Sequence, residues 1–221
     1  MTSIEKAAGR NQMAAISRRG LLSLTGTAIA GAYGVSAVRA ADDLKVRPIL
    51  CPNEKIDIGG RGKEIIQRAY DLGHEYEKKN GGCAQCTLAA VQDAVDFIEF
   101  DEGLFRAACS LDGGATPTGI QSCGGFTGSG MFISYLCGRT RDGKRFHGSS
   151  GPAHRVHRRV YEHYIEEYGT VLCKDVRKGA GSDCPLVCGR AAQWAAEAIL
   201  IELTNYVADE AEEGDQPQTE P

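Results

Sequence analysis

Cys83-Ala84-Gln85-Cys86-Thr87-Leu88-Ala89-Ala90-Val91-Gln92-Asp93-Ala94-Val95-Asp96-Phe97-Ile98-Glu99-Phe100 is the most clearly periodic stretch of the 221-residue chain. Wound at about 3.6 residues per turn, it places Cys83, Thr87, Ala90, Val91, Ala94, Phe97 and Ile98 on one face and Gln85, Gln92, Asp96 and Glu99 on the other. The pattern predicts an amphipathic helix over 83–100 that opens on a cysteine.

Working outward, Ile65, Ala69, Leu72 and Tyr76 repeat at helical spacing over 62–79, and Gly81-Gly82 stops that helix. A short helix is expected over 104–109. Residues 110–130 hold seven glycines (113, 114, 119, 124, 125, 128 and 130) and read as a loop opening into something closely packed. Within it Gly124 and Gly128 are four apart and would let a neighbouring backbone approach. A buried helix is expected over 126–136, then an exposed loop over 138–153 with the turn residues Asp142-Gly143 and Gly151-Pro152. A helix over 154–168 is expected to bury Val156, Val160, Tyr161, Tyr164, Ile165 and Tyr168. The last helix opens at Cys184-Pro185, with proline at the favoured first position, and runs to about 207. Its buried face would hold Val187, Ala191, Trp194, Ala198 and Ile201. No strand alternation, internal repeat or nucleotide-binding glycine pattern competes. The expectation is an all-α fold: one compact domain of about five helices around a Gly/Cys-rich central loop.

The flanks differ in character. Residues 17–22, Ser-Arg-Arg-Gly-Leu-Leu, begin a weakly apolar stretch that ends at Val38-Arg39-Ala40. A basic end, an apolar middle and a small-residue exit are the layout of an export signal, and the paired arginine resembles a twin-arginine signal. Cleavage after Ala40 is expected, leaving no permanent membrane anchor and a protein exported folded, to a bacterial periplasm. The apolar stretch is rich in Gly, Ala, Ser and Thr and is marginal as a membrane span. The expected organisation is a signal over 1–40, an extended lead-in over 41–61, the helical cysteine-rich domain over 62–207 and an acidic disordered tail over 208–221.

Composition excludes several classes. The chain is 42% hydrophobic with a net charge of −4, which argues against disorder throughout and against a nucleic-acid binder. Glycine has no three-residue period, so the chain is not collagen-like. No Ser-His-Asp arrangement, paired-carboxylate motif or phosphate loop can be placed.

The chemistry lies in the cysteines at 51, 83, 86, 109, 123, 137, 173, 184 and 188. Cys83/Cys86 and Cys184/Cys188 begin predicted helices, where unsatisfied amide N–H groups and the positive dipole end favour thiolate. Thiolate is both the nucleophile of disulfide exchange and the metal-ligating form. No histidine follows in the C-x-x-C-H arrangement, which argues against covalent c-type haem. Nine cysteines cannot all pair internally. Structural disulfides are an alternative in an oxidising compartment. Cys109 and Cys137 read as small buried hydrophobes.

Four segments together resemble the C-GCAxxG-C-C family of redox-active proteins. They are Gly82-Cys83-Ala84-Gln85, then Cys123-Gly124-Gly125-Phe126-Thr127-Gly128 with Gly125 in place of the usual alanine, then Tyr168-Gly169-Thr170-Val171-Leu172-Cys173, and finally Cys184. The likeness covers about residues 62–203. A similar domain occurs in split-Soret cytochromes, where an iron–sulfur cluster is associated with it; their haem-attachment motifs are absent here. The resemblance implies a helical domain with redox or metal chemistry on Cys83, Cys123, Cys173 and Cys184. Cys86 and Cys188 stand beside family positions and are possible substitutes in the ligand set. Four thiolates suit an iron–sulfur cluster or closed tetrahedral zinc. The leading expectation is an iron–sulfur electron-transfer or redox-sensing protein with a redox partner protein. The alternatives are a metal-free thiol–disulfide oxidoreductase and a zinc- or disulfide-held structural module.

His154, His157 and His163 read as exposed rather than ligating, because Arg155, Arg158 and Arg159 surround them. Residues 139–159 carry seven bases and a single acid, Asp142, in an otherwise acidic chain. Such a segment can dock an anionic partner or simply be a solvated face.

Overall fold

A computed structural model describes residues 55–208. The export signal over 1–40, the lead-in as far as residue 54 with Cys51, and the acidic tail from residue 209 lie outside the described residues. Seven helices and one two-stranded hairpin make up the described part, so the chain is all-α as expected, and all but one of the seven helices match a stretch marked by the sequence pattern.

Helix α1 (Gly62–Asn80) stops at Gly81 and Gly82, which both take positive φ, 67° and 87°. Only glycine adopts two such residues in a row at little cost. Helix α2 (Cys83–Ala94) starts at once on the far side of this turn. It ends six residues short of the predicted helix, and Phe97 and Ile98 are buried from a turn instead. Gln92, on the polar face of the sequence pattern, is buried at 4% exposure, because α1, α4 and α7 all pack against α2. Helix α3 (Glu102–Ala107) is capped by Asp101, whose carboxylate accepts from the Leu104 N–H at 2.6 Å.

Helix α4 (Gly124–Cys137) crosses α2 with the backbones in contact. A methyl at Gly128 would run into the Ala84 carbonyl, so the glycine pair at 124 and 128 serves the close approach its spacing suggested. Strands β1 (Thr140–Asp142) and β2 (Arg145–His147) pair antiparallel about the Asp142–Arg145 turn, and all six residues are exposed. The sequence pattern suggests only a loop here, since three-residue strands leave no measurable alternation. Helix α5 (Gly151–Tyr168) begins three residues earlier than expected, with Pro152 in its first turn. It buries Val156, Val160 and Tyr164, whereas Tyr161 and Ile165 are exposed at 40% and 38%. The apolar stripe is therefore narrower than the run of apolar residues implied.

Helix α6 (Cys173–Gly179) has no counterpart among the expected helices; seven residues with two buried positions, Cys173 and Val176, carry too little period to read. Helix α7 (Cys184–Leu203) ends four residues before the predicted point. It is buried over most of its circumference through Ala191, Ala192, Ala195, Ala196 and Ala198, and it lies against α1, α2, α4 and α5. Small side chains let four helices approach a central one. The lead-in is tied down at its end: Ile56 N–H donates to the Leu203 carbonyl at 2.9 Å, and Ile58 is buried. No helix among the described residues is long and apolar enough to cross a membrane.

Candidate thiol site

Four helix starts deliver four cysteines to one place. Cys83 is the first residue of α2, Cys173 of α6 and Cys184 of α7, and Cys123 is the residue before α4. Each position is fixed by local structure. The Gly81-Gly82 turn sets Cys83. Asp183 caps α7 by accepting from the Leu186 N–H at 3.0 Å, which sets Cys184. Cys123 and Cys173 are drawn side by side by a short antiparallel bridge between Ser122 and Leu172. In it the Cys123 N–H donates to the Val171 carbonyl at 2.8 Å and the Cys173 N–H to the Gln121 carbonyl at 2.9 Å. The Gly-rich loop folds over the same segment, with the Lys174 N–H donating to the Gly119 carbonyl at 3.0 Å.

The result is a cavity of about 120 Å³ lined by Cys83, Cys123, Cys173, Cys184 and Cys188. Glu77, Asp112 and Arg177 also line it. Cys188 enters from the second turn of α7 and is fully buried. Cys86 does not line the cavity; its thiol donates to the Gly81 carbonyl at 3.1 Å and also bonds the Glu77 carboxylate at the cavity wall. Cys137 is buried and Cys109 is exposed, so the expectation of a buried Cys109 is corrected: the residue lies just past the end of α3, on a turn the core does not cover. No two of the eight described cysteines are joined in a disulfide.

The thiols differ in acidity. Cys83 is brought down to about 7, chiefly by a hydrogen bond from the Cys188 thiol and also by the Gly113 N–H, against the opposing effect of burial. Cys188 is pushed well above its ordinary range by its bond to Cys83 and by burial. Burial raises Cys123 to about 12, and it raises Cys173 and Cys184. Cys86 also rises to about 12, from burial and the nearby Glu77 carboxylate. The protein groups alone thus support a single thiolate, at Cys83, surrounded by thiols.

Two further features of the site, the Tyr164 hydroxyl and the Glu77 carboxylate, carry no sequence signal. The hydroxyl of Tyr164, 0% exposed, donates to the Cys123 sulfur at 3.6 Å, and the Gly125 and Phe126 N–H groups bond the same sulfur. Gly125 gives the tyrosine room: a methyl there would stand 2.8 Å from its hydroxyl. Glu77 has one carboxylate oxygen buried with no hydrogen-bond partner, and burial holds its carboxyl above the ordinary range. In the sequence Tyr164 reads only as a buried residue of α5, and Glu77 as one of several acids on α1. Neither role is visible in spacing.

His157 is partly buried: its ring lies on Phe126 at 4.3 Å, and its Nε2 is 3.1 Å from the Phe126 carbonyl. Burial lowers its pKa. His163 stacks on Trp194 at 5.3 Å, and His154 is exposed. None of the three lines the thiol cavity.

Donor chemistry at the cavity fits a thiolate-held metal centre: five sulfurs, an orphaned carboxylate oxygen and helix N-termini face it. Among the described residues no group of three or more His, Cys, Asp or Glu is arranged to hold a metal ion.

The family model described as "Putative redox-active protein (C_GCAxxG_C_C)" matches residues 82–198, which span all five cavity cysteines. Neither the curated proteins nor the solved structures contain a match.

Proposed function

This chain belongs to the C_GCAxxG_C_C family, and from that premise we propose that it is a redox protein holding an iron–sulfur centre on Cys83, Cys123, Cys173 and Cys184. One observation carries the reading: four separate helix starts bring these four sulfurs, with Cys188, to a single buried cavity. Closed tetrahedral zinc asks for four donors about 2.3 Å from one point. A cluster spreads its cysteine ligands around a core of several atoms. Such a centre supplies one-electron transfer when bound.

The chain's own residues do the rest. Helix N-termini at Cys83 and Cys184 oppose the negative charge of ligating thiolates. The Gly113, Gly125 and Phe126 N–H groups and the Tyr164 hydroxyl donate to the sulfurs of Cys83 and Cys123. Hydrogen bonds of this kind stabilise the more reduced, more negative state and raise a reduction potential. Burial of Cys123, Cys173 and Cys188 keeps water from the sulfurs. Export in the folded state to the periplasm is part of the same proposal. Its support is the Arg18-Arg19 leader and the Val38-Arg39-Ala40 exit in the sequence.

The test is protein folded in the cytoplasm and purified without oxygen, assayed for iron, acid-labile sulfide, zinc and visible absorption. Matched iron and sulfide are expected, and each single Cys→Ser change at 83, 123, 173 or 184 should lower both. Unchanged content in all four variants overturns the ligand assignment. Stoichiometric zinc without sulfide turns the site into a structural one.

A specific observation favours a second reading. Cys83, held near pH 7, lies against the Cys188 thiol. In a metal-free protein the Cys83 thiolate would attack a substrate disulfide, expelling one substrate thiolate and forming a mixed disulfide. Cys188, losing its proton, would then attack Cys83 and release the second substrate thiolate, so that two electrons pass to the substrate. Cys188→Ser would trap the mixed disulfide.

A further inference from the structure

The thiol cavity is joined to the surface by aromatic rings along two branches that share Tyr164. Its hydroxyl is 3.6 Å from the Cys123 sulfur. One branch runs from Tyr164 to Phe126 at 5.4 Å between ring centroids and from Phe126 to His157 at 4.3 Å. The other runs from Tyr164 to Trp194 at 5.3 Å and from Trp194 to His163 at 5.3 Å. The branches surface in opposite electrostatic settings. His163 and Trp194 open among Glu162, Glu166 and Glu197, with Arg159 the one Lys or Arg lining the same groove. Phe126 and His157 line two adjoining open grooves, one of which is edged by His154, Arg155 and Arg158.

The second setting is the more basic one over a wider area. Arg155 and Arg158 are spent in part on Glu202 and Glu162. The hairpin that leads into α5 adds Arg139, Arg141, Lys144 and Arg145, with Asp142 its single acid. Phe146, 62% exposed, stands on the hairpin between the guanidiniums of Arg139 and Arg141, at 5.3 and 5.6 Å from its centroid. An exposed aromatic ring held between arginines is a contact group of the type enriched at protein interfaces.

We propose that the basic segment running from the hairpin into α5, together with the Phe126–His157 groove that α5 edges, is the docking surface of an acidic one-electron carrier protein. The proposal rests on the redox reading above and names its partner class. One electron passes between the thiol-held centre and the carrier's cofactor; one is oxidised, the other reduced, and no bond forms or breaks. The shortest ring-to-ring step, Phe126 to His157 at 4.3 Å, ends at this groove, and the bases of the segment attract a negative surface and repel a positive one. The acidic branch at His163 lacks those bases.

The experiment uses the full chain with flavodoxin as the acidic carrier and cytochrome c as the basic one. Binding is followed by titration calorimetry at low and high salt. Flavodoxin should bind with an affinity that falls as salt rises, and Arg145→Glu with Arg158→Glu should weaken it at least tenfold. Lys78→Glu, the same charge change on α1, should leave it within about twofold. Phe126→Leu should slow the reoxidation of reduced protein at saturating flavodoxin. Preference for cytochrome c, or equal flavodoxin binding by wild type and the double variant, overturns the docking surface. Iron and sulfide content is read on the same samples. Protein with a full centre that ignores flavodoxin refutes this surface and leaves the ligand assignment standing. Protein without iron and sulfide that binds flavodoxin in the predicted, charge-dependent way refutes the ligand assignment and supports the surface.

Discussion

The thiol cavity and the basic hairpin are built on opposite principles. At the cavity, position is set by backbone contact: Gly128 lies against the Ala84 carbonyl and Gly124 against the Cys83 sulfur. Close neighbours fix the groups there. On the hairpin all six strand residues are exposed, and its charged groups are restrained by one aromatic ring and by the Arg141 bond to the Gly143 carbonyl. The first arrangement suits chemistry that needs sulfurs at fixed places. The second suits recognition through charge, where stability hardly depends on which base stands where. Equal-sized changes should therefore cost much at one end and little at the other.

The largest expected effect is at Gly128. Gly128→Val puts a branched side chain where the Ala84 carbonyl lies, and a backbone atom cannot rotate away as a side chain would. Overpacking of this kind costs about 1–3 kcal/mol or more. For a domain of this size that is a fall in Tm of roughly 2–4 °C per kcal/mol. Calorimetry should show it, and retention of the wild-type Tm would mean that α2 and α4 can separate without harm. Because Ala84 is next to Cys83, the same variant should lower iron and sulfide content.

A tenfold effect per pH unit is expected next, in thiol reactivity. In metal-free protein Cys83 titrates at about 7, while Cys123, almost wholly buried, titrates at about 12. Alkylation by iodoacetamide should rise tenfold per unit below pH 7, level off above it, and map by mass spectrometry to Cys83 before Cys123. The linkage has a definite sign. A thiol whose folded value lies below its ordinary 9.0 adds stability above pH 9, and that contribution is lost as pH falls through 7. Cys188→Ala removes the principal donor and should move the alkylation midpoint upward. A midpoint that stays near 7 would credit the Gly113 N–H instead.

Much of this is legible in the residues. Helices α1, α2, α4, α5 and α7 announce themselves by apolar spacing. The Gly124–Gly128 interval announces a close backbone approach. The cysteines at predicted helix starts point toward one site because helix starts offer the same chemistry wherever they occur. The illegible part depends on contacts between distant segments. Nothing near Tyr164 in sequence marks it as the donor to Cys123, since the bond spans α5 and the start of α4. Gln92 looks solvent-facing because a helical wheel cannot count neighbours, and three helices close around α2. Cys86 and Cys188 are alike in sequence, each just inside a helix start; packing sends one toward Gly81 and the other into the cavity.

Tyr164→Phe tests the buried side more gently. It keeps the ring packing against Phe126 and Trp194 and removes only the hydroxyl. The loss is one hydrogen bond to sulfur, so a destabilisation of about 1 kcal/mol is expected. If an iron–sulfur centre is bound, its reduction potential should fall, because one donor to the Cys123 sulfur is gone. A potential equal to wild type at unchanged iron content would restrict the tyrosine to packing.

The smallest effect belongs to the hairpin, and it is the sharper test of the contrast because it predicts near silence. Arg141→Ala removes one of two guanidiniums over Phe146 and leaves Arg139 in place. An exposed cation–π contact is worth about 0.5–1 kcal/mol, shared here between two arginines, and it restrains a hairpin whose residues are all exposed. The global Tm should move by less than about 2 °C, since surface substitutions are usually within about 0.5 kcal/mol. Iron and sulfide content should not change. A fall in either would mean that the hairpin supports the thiol site after all, and that the division between a fixed chemical end and a free recognition end does not hold for this chain.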